Sequence, residues 1–166
     1  MTILVEDGTI VTDANSYVTV EEARAYARAR GTYISDATRV VEQELVQAMD
    51  YLESLRNSYK GKKTDVTQTL QWPRQSVYID GELFASDAIP TELKAAQMRL
   101  VMEIEAGFDP MGNSDGLPFI VSERVDVLET KYSEGIATSG LPILRKVEAL
   151  LAPLLTTDGL LTVVRA

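Results

Sequence analysis

The sequence predicts a mainly α fold with minor β, a small bundle of about four helices with short hairpins and extended terminal arms. Three observations predict it. Apolar residues recur at helical spacing over several stretches, and capping residues stand at their ends. Short β-branched and aromatic runs between them are interrupted by Asp-Gly turns. Around the only tryptophan, Leu70-Gln71-Trp72-Pro73-Arg74 marks a non-helical junction between two helical halves. Pro73 fixes its own φ and disfavours helical backbone at Trp72.

From the N-terminus, Ile3-Leu4-Val5 and Thr9-Ile10-Val11-Thr12 flank the turn Glu6-Asp7-Gly8, which predicts a short hairpin or an extended arm over 1–12. Thr19-Val20-Glu21-Glu22 fits a capping box, opening a helix over 19–30 that Gly31 closes. Its inner face carries Val20, Ala23, Tyr26 and Ala27, and Arg24, Arg28 and Arg30 suit the negative end of the helix dipole. The longest helix is predicted over 37–59. There Val41, Leu45, Ala48, Leu52, Leu55 and Tyr59 form one stripe, widened by Val40 and Met49, with Glu42, Glu44 and their neighbours in water.

Lys60-Gly61-Lys62-Lys63 ends that helix, and the chain runs extended or looping to the Trp72-Pro73 junction. Val77-Tyr78-Ile79 and Glu82-Leu83-Phe84 around Asp80-Gly81 predict a hairpin with a two-residue type I′ turn. Pro90 opens a second strong helix over 91–106, with Leu93, Ala96, Gln97, Leu100, Val101 and Ile104 inward and Gly107 closing it. Glycines and prolines make 108–119 a loop, and 120–132 alternates like a half-exposed ribbon. A last helix follows Leu141-Pro142, with Ile143, Leu144, Val147, Leu150 and Leu151 apolar, and Pro153 ends it.

The tail over 154–166 is apolar for a terminus. Leu160, Leu161, Val163 and Val164, with Arg165, are candidate interface residues of a C-terminal arm, contacting either the chain's own domain or a neighbouring subunit. Cutting after Pro153 is then expected to spare the fold and abolish assembly.

The chain has 166 residues, enough for one domain over 1–166 with a real core, and it is 45% hydrophobic and 25% charged. No apolar run approaches the ~20 residues of a membrane span. The first residues lack a basic n-region, so a cytoplasmic origin is expected.

Cysteine and histidine are both absent, which removes thiolate chemistry and the commonest general base and zinc ligand. No enzyme, metal site or cofactor is expected. Sixteen basic against 25 acidic residues give a net charge of −9, a poor balance for holding duplex DNA.

Gly61-Lys62-Lys63-Thr64 resembles the end of a phosphate-binding loop but fails it. Arg56 stands where the first glycine belongs, and Lys63 where Ser or Thr should follow Lys62. Asp109–Gly116 likewise fails as a calcium loop, with Met111 at its third position and Ile120 at its twelfth. Glu42 and Glu44, like Glu103 and Glu105, lie two apart on helices and face different ways, as solvated charges do.

Two groups remain as candidate sites. Trp72, Pro73 and Arg74 form a keystone, read as a core anchor or as a docking point for a partner. Tyr59, Lys60, Lys62 and Lys63, near Trp72 in sequence, interleave bases with aromatics as a single-stranded DNA groove does. The competing reading buries the rings and leaves the lysines capping a helix.

Six segments in order carry a family resemblance: Val5-Glu6-Asp7-Gly8-Thr9, Ala14-Asn15-Ser16-Tyr17-Val18, Ala48-Met49-Asp50-Tyr51-Leu52, Gln71-Trp72-Pro73-Arg74, Ile89-Pro90 and Leu150-Leu151-Ala152-Pro153-Leu154-Leu155. Together, over essentially the whole chain, they resemble small tailed-bacteriophage head–tail connector (adaptor or head-completion) proteins. Some relatives carry a DnaT-like single-stranded DNA-binding label.

The connector resemblance implies a mostly helical subunit in a twelve-fold homo-oligomeric ring, bound to the portal protein and offering a seat to the downstream tail or stopper protein. It places the protein in the virion neck, made in the host bacterial cytoplasm. DNA would pass through the lumen without specific binding, which an acidic wall favours. The alternative is a single-stranded DNA-binding, DnaT-like replication accessory protein.

Overall fold

The computed structural model describes residues 2–112, 122–125, 128–131 and 144–156. The chain divides into two units, Met1–Pro110 with Leu144–Ala166, and Met111–Ile143. In the second unit, β5 (Ser122–Val125) pairs antiparallel with β6 (Leu128–Lys131), Ser122 opposite Lys131 and Val125 opposite Leu128. The fold is mainly α with minor β, as the periodicities predict.

The first unit is built on four helices. α1 (Val20–Arg28) starts with the capping box, Thr19 Oγ1 accepting from Glu22 N–H at 3.1 Å and Glu22 Oε2 from Thr19 N–H at 2.7 Å. Beyond it the chain closes as a Schellman turn: Gly31 N–H donates to Arg28 C=O and Thr32 N–H to Ala27 C=O, with Gly31 at φ +70°. Val20, Ala23 and Ala27 are buried, while Tyr26 is half-exposed beneath the Arg30 guanidinium, 3.3 Å from its ring centroid.

α2 (Thr38–Ser54) buries Val41, Leu45, Ala48, Met49, Tyr51 and Leu52. It stops five residues short of the predicted 37–59 span, and Tyr59 lies beyond it in a bridge to Leu155. Val40, expected on the stripe, is exposed, whereas Glu44, expected in water, is buried.

α3 (Thr91–Glu105) buries Leu93, Ala96, Gln97, Leu100 and Val101, and ends in a second Schellman closure, with Gly107 N–H donating to Ile104 C=O and Phe108 N–H to Glu103 C=O. α4 (Arg145–Leu151) and the 3-10 turn Ala152–Leu154 bring Val147, Leu151 and Leu154, all fully buried, against the same core. No helix among the described residues is long and apolar enough to cross a membrane.

The predicted N-terminal hairpin does not form. Val5 pairs parallel with Ser16, and the Glu6 carboxylate, 1% exposed, turns the next residues around itself. It accepts from the N–H groups of Gly8, Ile10 and Val11 at 2.8–3.0 Å. Gly8, at φ +110°, lies so near Asp87 that a β-carbon would sit 2.0 Å from its carbonyl oxygen. This end of the chain is therefore docked rather than a free arm.

The other expected arm packs on its own unit at its root. Leu154 and Leu155 are buried, Lys60 N–H donates to Leu154 C=O at 2.9 Å, and Thr156 N–H to Ser58 C=O at 2.7 Å. The remainder of that arm, Leu160, Leu161, Val163, Val164 and Arg165 included, lies outside the described residues.

Candidate functional site

Between α2 and α3 the chain folds back on itself around the indole. β1 (Lys62–Lys63) pairs with β2 (Arg74–Gln75), Lys63 opposite Arg74, a ladder not anticipated from the sequence. β3 (Tyr78–Ile79) and β4 (Glu82–Leu83) form the predicted hairpin, with Asp80 at φ +51° and Gly81 at φ +87° as a type I′ turn requires. Gly61 at φ +66° lets the two backbones meet, since a β-carbon there would lie 2.3 Å from Gln75 C=O.

Trp72 has no exposed surface. It joins Pro73 through a cis peptide and meets Tyr59 and Phe84 edge-on, with centroids 5.9 and 6.2 Å away. The backbone on either side is fixed by polar groups from distant segments. Tyr17 Oη accepts from Trp72 N–H at 3.1 Å and donates to Glu53 Oε1 at 3.3 Å, which also accepts from Gln71 N–H at 3.0 Å. Burial raises the pKa of the Tyr17 hydroxyl and, against the hydrogen bonds it accepts, that of the Glu53 carboxyl. Tyr17 is held in turn by the fully buried Gln97: Oε1 accepts Tyr17 N–H at 2.9 Å, and Nε2 donates to Ser16 Oγ at 2.9 Å and Leu45 C=O at 3.2 Å.

Arg74, 6% exposed, fastens the other side. Its Nε donates to Lys60 C=O at 2.8 Å, Nη2 to Gly61 C=O at 2.9 Å, and Nη1 to Gln71 C=O at 3.4 Å and Oε1 at 3.3 Å. Burial lowers its pKa, and backbone carbonyls stand where a carboxylate partner often would. Trp72, Pro73 and Arg74 are all buried, so the keystone is core.

The predicted Tyr59–Lys63 groove is not assembled. Tyr59 is 4% exposed, its hydroxyl donating to Leu52 C=O at 3.0 Å and its ring covered by Trp72 and by Arg74, 5.7 Å from the centroid. Lys60 Nζ donates to Pro153 C=O at 2.7 Å and Lys63 Nζ to Gln68 C=O at 3.0 Å. Of this group only Lys62 stands exposed with no side-chain partner among the described residues. A base needs an open ring face to stack on, and Tyr59 and Trp72 have none.

Exposed rings lie elsewhere. Tyr33 is 83% and Tyr78 58% exposed. Tyr33 follows the Schellman turn of α1 and lines a cavity of about 280 Å³ with Arg24, Arg28, Ile34 and Asp36. Arg24 clamps this loop to α1, its guanidinium donating to Ser35 C=O at 3.2 and 3.3 Å and to Asp36 C=O at 2.7 Å. Reading those arginines only as partners of the helix dipole misses them. The available signal was Arg24, Tyr26, Arg28, Arg30 and Tyr33 interleaved in one short segment.

Fold and site together define a small mainly helical protein whose interior polar groups brace its own backbone, with a basic, aromatic-bearing loop at the end of its first helix. The chain belongs to the family described as "Putative DnaT-like ssDNA binding protein", whose model matches residues 1–166. No curated protein matches, and no solved structure does.

Proposed function

We propose that the protein is a binding protein rather than an enzyme, and that its ligand is single-stranded DNA. The observation that carries this is the family match over the whole chain, under a description that names single-stranded DNA binding. The missing histidine and cysteine count against catalysis and cost a binding protein nothing. With a net charge of −9, affinity must come from a local basic surface. The Debye length of ~8 Å at physiological salt screens more distant acids.

Fluorescence anisotropy of a labelled oligothymidylate tests it. Binding that falls steeply as salt rises from about 50 to 200 mM is expected; no binding at the lower salt overturns the reading. The label must be on the DNA, because a buried Trp72 is a poor direct reporter of bases at the surface.

A second reading is the neck adaptor: a twelve-fold ring in the virion neck, partnered by the portal and by a downstream tail or stopper protein. Its support is the acidic excess, which suits a wall DNA slides past, and the apolar segment Leu160–Val164. Rings in negative-stain images of the purified protein are its expected outcome, and a monomer at all concentrations overturns it.

A further inference from the structure

The geometry points to the cavity beside α1 as the contact site for single-stranded nucleic acid, with Tyr33 stacking one base and Arg28 pairing with an adjacent phosphate. This rests on the single-stranded DNA reading above and adds to it a place and a division of labour. The keystone aromatics are closed off, so a stacking face must be sought among exposed rings, and among the described residues Tyr33 is the most exposed large apolar or aromatic side chain after Val66.

Charge singles out the same place. Between residues 23 and 39 stand Arg24, Arg28, Arg30 and Arg39 against Asp36 alone, a local positive excess in a chain of net charge −9. Their commitments differ. Arg24 is held by the carbonyls of Ser35 and Asp36, and Arg30 lies on the Tyr26 ring. Arg28 is exposed and makes no side-chain hydrogen bond or ion pair among the described residues. A phosphate therefore meets a cation with no competing partner.

The platform is also held in place before any ligand arrives. Arg24 ties the loop to α1, the Schellman turn fixes where it leaves the helix, and Ile34, 7% exposed, anchors it in the core beside Tyr33. A cavity of about 280 Å³ falls just below the usual range of ligand sites, about 300–1,000 Å³, which suits one base with its phosphate and nothing larger.

The test compares Tyr33→Ala, Arg28→Ala and the control pair Lys62→Ala and Tyr78→Ala by anisotropy with labelled oligothymidylate across a salt series. All four side chains are exposed, so the variants are expected to fold, and thermal melts check it. Tyr33→Ala should weaken binding by roughly tenfold or more, as loss of one stacked base does. Arg28→Ala should weaken it and also lower the slope of log K against log salt by about 0.7, the signature of one lost phosphate contact on a single strand. The controls should bind as the unaltered protein does.

Normal binding by Tyr33→Ala and Arg28→Ala, or selective loss in the controls, overturns the site and leaves the single-stranded DNA reading standing. No binding by the unaltered protein overturns both.

Discussion

Glu44 shows how much one residue can be altered by a neighbour from another helix. It sits on α2 among apolar side chains, and its buried Oε2 receives no hydrogen bond from the described residues. Burial first, then the neighbouring Glu105 carboxyl at the end of α3, push its pKa up to about 8. Near neutrality the folded protein therefore holds a proton there that the unfolded chain, at an ordinary glutamate pKa, has released. Folded Glu44 binds more protons between pH 4.5 and about 8, so its effect on stability is least unfavourable below that window and worsens as pH rises through it. Urea midpoints should fall from pH 5 to pH 8, and Glu44→Gln should flatten the fall. An unchanged slope in the variant would contradict the assignment. From sequence this carboxylate reads as one more solvated charge, because the partner that changes it lies some sixty residues away.

Elements here are held by backbone approach as much as by apolar stripes. β1 and β2 are two residues each, too short to persist alone. They persist because Arg74 gathers three carbonyls behind them and because Gly61 lets Gln75 approach. Gly61→Ala should therefore destabilise the protein by roughly 1–3 kcal/mol from backbone strain alone, with the clash against Gln75 adding to it. Chemical denaturation measures this, and Gly81→Ala is the comparison, since Gly81 shares the positive φ but has open space around its missing β-carbon. Equal losses at the two sites would show that close approach at Gly61 does not matter. The helices were largely legible in the sequence: the capping box at Thr19, both glycine closures and the α3 stripe stand where local patterning puts them. α2 was read five residues too long because Leu55 and Tyr59 continue its spacing; Tyr59 instead serves a bridge to Leu155, which no local pattern announces.

At the scale of the whole molecule, the first unit is closed by chain from near its far end. Leu151 and Leu154 are fully buried, and backbone bonds tie 154–156 to 58–60. A chain ending at Pro153 loses Leu154, Leu155 and those bonds. It should be less stable by more than about 2–5 kcal/mol, the usual cost of deleting one large buried aliphatic side chain, since two are lost. A chain ending at Thr156 keeps Leu154, Leu155 and those bonds, so it should be more stable than the chain ending at Pro153. Equal melting of the two truncations would show that Leu154 and Leu155 contribute little, and assembly measured on the longer one isolates the role of 157–166.

What the sequence by itself determined is the mainly helical class, the order and ends of most helices, the Asp80-Gly81 hairpin and the want of histidine and cysteine, because periodicity, caps and turns act between residues close along the chain. What only the tertiary structure decided is which aromatic and charged groups remain open. Tyr59 and Trp72 look like a stacking pair in the sequence and are enclosed by each other, Phe84 and Arg74, whereas Arg28 reads as a partner of the helix dipole and Tyr33 as part of a turn, and both are left exposed. Exposure is settled by what distant segments place on top of a side chain, and adjacency in the sequence carries no record of that.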